Sequence, residues 1–357
     1  MTVSINGTTG ITTPTYGGSV PSEYITPVTS FKNRIINGDM KIDQRNAGAS
    51  VTIGSAINTY ITDRFYIIAA QASKLTAQQN AGSVTPPTGF TNYLGITSSS
   101  AYTSLSGDYF QLRQVIEGFN IADLGWGTAN AKTVTLSFWV YSSLTGQFGG
   151  SIRNNPNYTY TYPFSFTISS ANTWQYVTIT IAGPNASQGT WNANNTAGLE
   201  VAFDLGNGST FLSTANSWQS GSFAGVTGDV KLVGTNGATF YITGVQLEVG
   251  DTATSFDNRS IGQELSLCQR YYEVAYGAYG ILSAALTGAA SSSWCTWGFQ
   301  TEKRASPTFA LATGAAWNNV TPTVISPNVS SVSFNATNYF WATSTAGTPC
   351  LTASSEL

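Results

Sequence analysis

The stretch Asn154-Asn155-Pro156-Asn157-Tyr158-Thr159-Tyr160-Thr161-Tyr162-Pro163 sets three tyrosines at a spacing of two, beside three asparagines. In an extended chain that spacing predicts three phenol rings on one face. Flat aromatic faces stack on the C–H bonds of sugar rings and amides take sugar hydroxyls, so Tyr158, Tyr160 and Tyr162 are candidate glycan contacts. Trp126 in DLGWGTAN, Trp191 in QGTWNANN and Trp218 in ANSWQSG stand in loop-like contexts and are candidates of the same kind. The competing reading is packing: an indole under a loop or at a strand end is commonly buried, and the tyrosine face also fits an intersubunit contact or a solvated sheet. Trp139 and Trp174 fall inside strand patterns and read as core.

Other chemistry finds less support. The chain has no histidine, the commonest general base and metal ligand near neutral pH. Glycoside cleavage needs two carboxylates across a bond. Glu200 and Asp204 are four apart on one strand pattern, while Asp63, Asp108 and Glu117 lie elsewhere, so no spacing singles out a pair. The reading is therefore of a non-enzyme without cofactor. A structural calcium ion is compatible with such a β-protein, but no D-x-D-x-D-G loop assigns its ligands. Cys268, Cys295 and Cys350 fit neither a zinc site nor a redox pair and read as thiols rather than a disulfide framework.

Charged residues are 9% of the 357, against the usual ~25%, and the net charge is −3. The longest basic cluster is in Glu302-Lys303-Arg304, which excludes the cationic footprint that nucleic acid requires. No apolar run reaches ~18 residues, so no membrane insertion is expected. The first residues, MTVSINGTTGITTPTYGG, lack the basic and apolar regions of a signal peptide, which implies synthesis in a cytoplasm or release by another route.

The positioning elements are strands. Residues 1–30, rich in Thr, Gly, Ser and Pro, read as an extended attachment arm that a partner must order. Over residues 31–255, Val134, Leu136, Phe138 and Val140 alternate with Thr133, Thr135, Ser137 and Trp139, and Val177, Ile179 and Ile181 alternate with Tyr176, Thr178 and Thr180. In FYITGVQLEVG the parity slips, and a bulge at Gly244 would return Phe240, Ile242, Val245, Leu247 and Val249 to one face. Further strands are expected at 61–70, 90–97, 109–117, 162–168 and 199–205. The fold class is all-β, an antiparallel jelly-roll sandwich.

Residues 256–275 read as a helical linker. Ser260 and Gln263 have capping-box spacing, and Ile261, Leu265, Cys268 and Tyr272 recur at four, three and four, a short coiled-coil seam. That helix either packs on its own sandwich or sets a trimer at a threefold axis. Residues 276–357 form a smaller β tip domain, with strands expected at 279–286, 293–301, 307–313 and 331–342, and with few large aliphatics for a core of its own. Phe31-Lys32-Asn33-Arg34 and Phe256-Asp257-Asn258-Arg259 repeat one pattern at the sandwich borders, as two similar docking points would.

The segments FKNRIINGDMKIDQRNAG (31–48), ITGVQLEVGDTATSFDNR (242–259), GQELSLCQRYYE (262–273) and EKRASPTFAL (302–311) closely resemble bacteriophage tail fibre and receptor-binding proteins. The resemblance covers the boundaries of nearly the whole chain from residue 31 on. It implies a carbohydrate-binding-like jelly roll, a helix and a tip domain in that order, and a homotrimer. It also implies a virion location after synthesis in the host cytoplasm, attachment to phage tail or capsid proteins through residues 1–30, and host-surface polysaccharide as partner. The family carries no set of catalytic residues to transfer. The alternative function is a structural head-fibre or capsid or tail decoration protein with no essential receptor role.

Overall fold

A computed structural model describes residues 4–6, 10–12, 31–155, 157–276, 293–312, 315–318, 321, 323–324, 327–336, 341–343 and 349–357. In the N-terminal arm, β1 (Ser4–Asn6) and β2 (Gly10–Thr12) pair antiparallel, and the rest of residues 1–30 lies outside the described residues. The sandwich begins with β3 (Val51–Thr52), β4 (Thr59–Thr62), β5 (Phe65–Ala69), β6 (Leu75–Gln79) and β7 (Leu94–Ser98). It continues through β8 (Phe110–Glu117), β9 (Val134–Ser142), β10 (Gly146–Asn154), β11 (Tyr160–Ile168) and β12 (Gln175–Ile181). It closes with β13 (Ala197–Asp204), the short β14 (Leu212–Ser213), β15 (Gln219–Ser220) and β16 (Gly225–Val226), and β17 (Thr239–Val249).

Two antiparallel sheets result, a seven-stranded one in the order β15-β11-β10-β13-β8-β5-β4 and a six-stranded one in the order β12-β9-β17-β7-β6-β3. Their inner faces meet over one apolar core. Val134, Leu136, Phe138 and Val140 of β9 are fully buried in it, as alternation requires. The fold is the all-β antiparallel sandwich expected from the sequence, and β6 and β10 are strands its patterning did not mark.

β17 carries the bulge. Its register against β9 shifts between Thr243 and Gln246, and Gly244 sits at φ 63°. Phe240, Ile242, Val245 and Leu247 all enter the core, while Val249, beyond the last inward position, is 43% exposed. Gly244 is needed twice over: its backbone is left-handed, and a Cβ there would lie 2.7 Å from Cζ of Phe90.

The linking helix α1 (Ile261–Gln269) starts at Ser260, whose hydroxyl accepts from the Gln263 amide at 3.4 Å. It ends before Tyr272, which belongs to β18 (Tyr272–Tyr276). This corrects the seam read from Ile261, Leu265, Cys268 and Tyr272. Cys268 is 0% exposed and packs with Ile36, Ile42 and Tyr271, and Leu265 leans on the same cluster. Tyr272 is buried under Arg45, 3.5 Å from the ring centre, and of the four residues only Ile261, at 60%, stands exposed. The helix packs on its own chain.

After β18 come β19 (Ser293–Gly298), β20 (Thr308–Leu311), β21 (Ala316–Asn318), β22 (Thr323–Val324), β23 (Ser331–Ala336), β24 (Trp341–Thr343) and β25 (Pro349–Ser354). They form small sheets around Val332, Phe334, Cys350 and Leu351. The strand expected at 279–286 and the side chain of Cys295 lie outside the described residues.

Candidate functional site

The tryptophans chosen from the sequence meet. Trp126, Trp191 and Trp218 form an edge-to-face triangle with ring centres 4.8, 5.6 and 5.5 Å apart, and Tyr162 closes on Trp218 at 5.4 Å. Their contacts are those of packing. Trp126 and Tyr162 belong to the core, and Trp191 and Trp218 lie against it half-buried. Each indole N–H already donates to a carbonyl: Trp126 to Lys132, Trp191 to Gln188, Trp218 to Ala182. With rings turned edge to face and donors taken, the cluster seals one end of the sandwich.

The tyrosine row is broken. Tyr158 sits at φ 49°, ahead of the first residue of β11, so the period-two spacing does not carry through it. Its hydroxyl donates to Glu200 at 2.9 Å, whereas Tyr162 points into the core and Tyr160 lies beside Gly189. Glu200 belongs to a closed ionic network on the outer face of the seven-stranded sheet. Arg153 pairs with it across the β10–β13 register, Arg113 approaches at 3.4 Å, and Asn155 donates at 3.0 Å. Burial pushes the Glu200 carboxyl up, but the two guanidiniums pull it further down, below its ordinary value. Asp204 is pushed well above its ordinary value, by burial and then by the Asp229 carboxylate, with Lys231 shared between the two. These carboxylates brace buried structure and face no open groove.

The outer face of the six-stranded sheet does present one. Tyr176 of β12 stands directly opposite Trp139 of β9 in the register, with ring centres 5.2 Å apart and planes at 45°. Tyr176 is 42% exposed, and both rings line a groove of about 470 Å³. Phe90 and Phe256, edge to face at 5.1 Å, line it as well, and Ser137, Thr88, Thr254 and Asn258 add hydroxyls and an amide. Reading Trp139 as core missed this. The signal was its phase: in β9 it alternates with the core residues Phe138 and Val140, which puts it on the other face.

The groove has two walls fixed from behind. The wall at 253–258 is held by the closing segment of the sandwich. Glu248 accepts from the Thr254 amide at 2.9 Å and its hydroxyl at 2.6 Å, and Gln246 accepts from the Asp257 amide at 2.8 Å. The opening segment joins in: Lys32 donates to the Ser255 carbonyl at 2.6 Å, Asn33 donates to Asp257, and Arg259 donates to the Asn33 carbonyl. The two Phe-x-Asn-Arg borders therefore dock on each other, with Arg34 and Arg259 both over the Phe31 ring. The opposite wall, around 84–90, is anchored by a second aromatic group. Trp174 donates to the Thr85 carbonyl at 2.8 Å, and the Tyr93 hydroxyl accepts from the Val84 amide at 2.8 Å. Tyr141 and Tyr241 stack beside them at 5.2 Å.

The remaining boundary motifs lock the sandwich to the C-terminal sheets. Asn37, left-handed at φ 60°, donates to the Ile42 and Asp63 carbonyls at 2.8 and 2.9 Å, and its amide donates to Glu264. Arg270 forks onto Glu117 at 2.9 and 2.7 Å, and the Tyr271 hydroxyl donates to the same carboxylate. Lys303, fully buried, pairs with Glu273, and Glu356 reaches back to Arg45 and Arg64.

No protein-family model matches the sequence, and no curated protein does. Among solved structures, one described as "CBM4 structure and function" is similar at 17% identity and TM-score 0.30, over 60% of this chain and 98% of its own. The enzymatically active domain of bacteriophage CBA120 tailspike protein 4 is similar at 14% identity and TM-score 0.31, over 62% of this chain and 22% of its own. The family 11 carbohydrate-binding module from Clostridium thermocellum, in complex with a mixed-linked tetrasaccharide, is similar at 11% identity and TM-score 0.27, over 56% of this chain and 94% of its own. All three overlap only part of the chain, and the sandwich itself rests on the strand order and register given above.

Proposed function

We propose that this chain is a glycan-binding adhesin of a bacteriophage particle, and that its working event is binding without bond cleavage. The observation that carries the binding reading is the outward-facing Trp139–Tyr176 pair, with Tyr176 exposed, in a groove with a hydroxyl and amide rim. Aromatic faces take the C–H side of a sugar ring and the rim takes its hydroxyls. The virion reading is supported by the resemblance of segments 31–48, 242–259, 262–273 and 302–311 to phage receptor-binding proteins. On this reading residues 1–30 attach the chain to the tail or capsid. We propose that the protein acts as a homotrimer, in which three weak sites on one fibre raise avidity by ~10²–10⁴ over a single site.

The test is a glycan array probed with the wild type, Tyr176→Ala and, as a packing control, Trp191→Ala. The reading expects glycan signals that fall at least about tenfold in Tyr176→Ala and persist in folded Trp191→Ala. Signals that disappear with Trp191→Ala and survive Tyr176→Ala would move the site to the tryptophan triangle. No glycan signal from the wild type, with particles lacking the protein still adsorbing to the host, would leave a decoration role instead.

A further inference from the structure

Resting on that glycan reading, we infer that the groove takes uncharged sugars and rejects uronic-acid, sialylated, sulfated and phosphorylated ones. The ground is the chemistry of the lining. Among the described residues no Asp, Glu, Lys or Arg side chain lines it, and the polar side chains there are hydroxyls and an amide. The charges immediately behind the wall are already matched. Lys32 donates to the Ser255 carbonyl and lies 3.8 Å from Glu248, and Glu248 is filled by Thr254 and Gln246. Asp257 is engaged by the Asn33 amide and by Arg259 at 3.4 Å.

A sugar carboxylate or sulfate entering this groove would lose part of its water and meet no cation among the described residues that line it, and a charge that gives up hydration without a partner is disfavoured. A neutral ring loses only hydroxyl hydration, which Ser137, Thr88 and Asn258 can replace. Specificity against charge thus comes from the absence of a counter-ion rather than from a repelling residue. One corollary follows for conditions. A ligand without charge in a groove without charge is held without Coulombic attraction, so its affinity is insensitive to salt.

The experiment is calorimetric titration of the full chain with neutral hexose tetrasaccharides of α- and β-linkage and with tetragalacturonic acid, at low and high salt, repeated on Tyr176→Ala. The inference expects a neutral tetrasaccharide to bind with a dissociation constant that changes less than about twofold with salt and rises at least about tenfold in Tyr176→Ala. Tighter binding of the acidic tetrasaccharide, weakened by salt and lost in Tyr176→Ala, would overturn the inference while leaving the glycan groove in place. Binding of neither class, or binding unaffected by Tyr176→Ala, would overturn the inference and the groove reading together. Tyr176 is exposed on an edge strand, so its alanine variant keeps the core intact, and an unchanged melting temperature confirms that any lost affinity is local.

Discussion

At the residue scale, two tryptophan environments separate by what each indole has left to offer. Trp191 has its ring against Trp126 and Trp218 and its N–H on a carbonyl, so Trp191→Ala should lower stability by about 2–4 kcal/mol, measured by urea unfolding, with sugar binding unchanged in the folded protein. Tyr176 holds no such place in the core, and its removal should affect binding far more than stability. Asp63 makes a different prediction. It is fully buried beneath Gln44, and burial pushes its carboxyl up from 3.8 to about 7, with Arg45 pulling the other way. Between those values the folded form holds a proton that the unfolded chain has released. Stability from this group is therefore full below about pH 4, falls as the pH rises, and levels off above about 7, by up to about 4 kcal/mol if the whole shift counts. Asp63→Asn should flatten that part of the melting-temperature profile. A profile that keeps its slope in the variant would mean another group is responsible.

At the element scale, β17 does two jobs with one residue. Gly244 bulges the strand so that the inward row stays in register, and it makes room for Phe90 at the groove. Gly244→Ala should cost at least about 1–3 kcal/mol and weaken binding as well, because the wall must move. Wild-type affinity in a destabilised variant would uncouple the bulge from the groove. At the junction, Arg270→Ala would leave Glu117, 1% exposed, with the Tyr271 hydroxyl as its one side-chain hydrogen-bond partner among the described residues. Allowing for the partial exposure of Arg270, a loss of about 2–4 kcal/mol is expected in chemical denaturation. What was legible in the sequence follows from these cases. Alternation is a local signal, so the core rows of β9 and β17 and the bulge could be read directly. The docking of residues 31–34 on residues 255–259, and of 268–273 on Glu117 and Lys303, depends on side chains far apart in sequence. The repeated Phe-x-Asn-Arg pattern marked the residues without revealing that they bind each other.

At the scale of the whole molecule, the boundary motifs act as fasteners, and residues 253–258 of one of them also form a wall of the groove. Helix α1 is one such fastener, since Leu265 and Cys268 face its own chain. Ile261→Asp, at an exposed position, should leave both the solution mass and the melting temperature unchanged, whatever multiple of the 37.7 kDa chain light scattering finds. A fall in mass would return the helix to the role of seam. The loop tryptophans show the complementary case. Loop context suggests exposure, but Trp126, Trp191 and Trp218 pack on each other, while Trp139, inside a strand, faces out. Strand phase, and not loop context, marks which of these rings turns away from the core. The most direct measurement of the account is a crystal structure of the full chain soaked with a tetrasaccharide that binds it. A sugar ring over Trp139 and Tyr176, between Phe90 and Phe256, is the predicted result. A sugar seated at Trp191 and Trp218 or in the C-terminal sheets, with the groove empty, would contradict it.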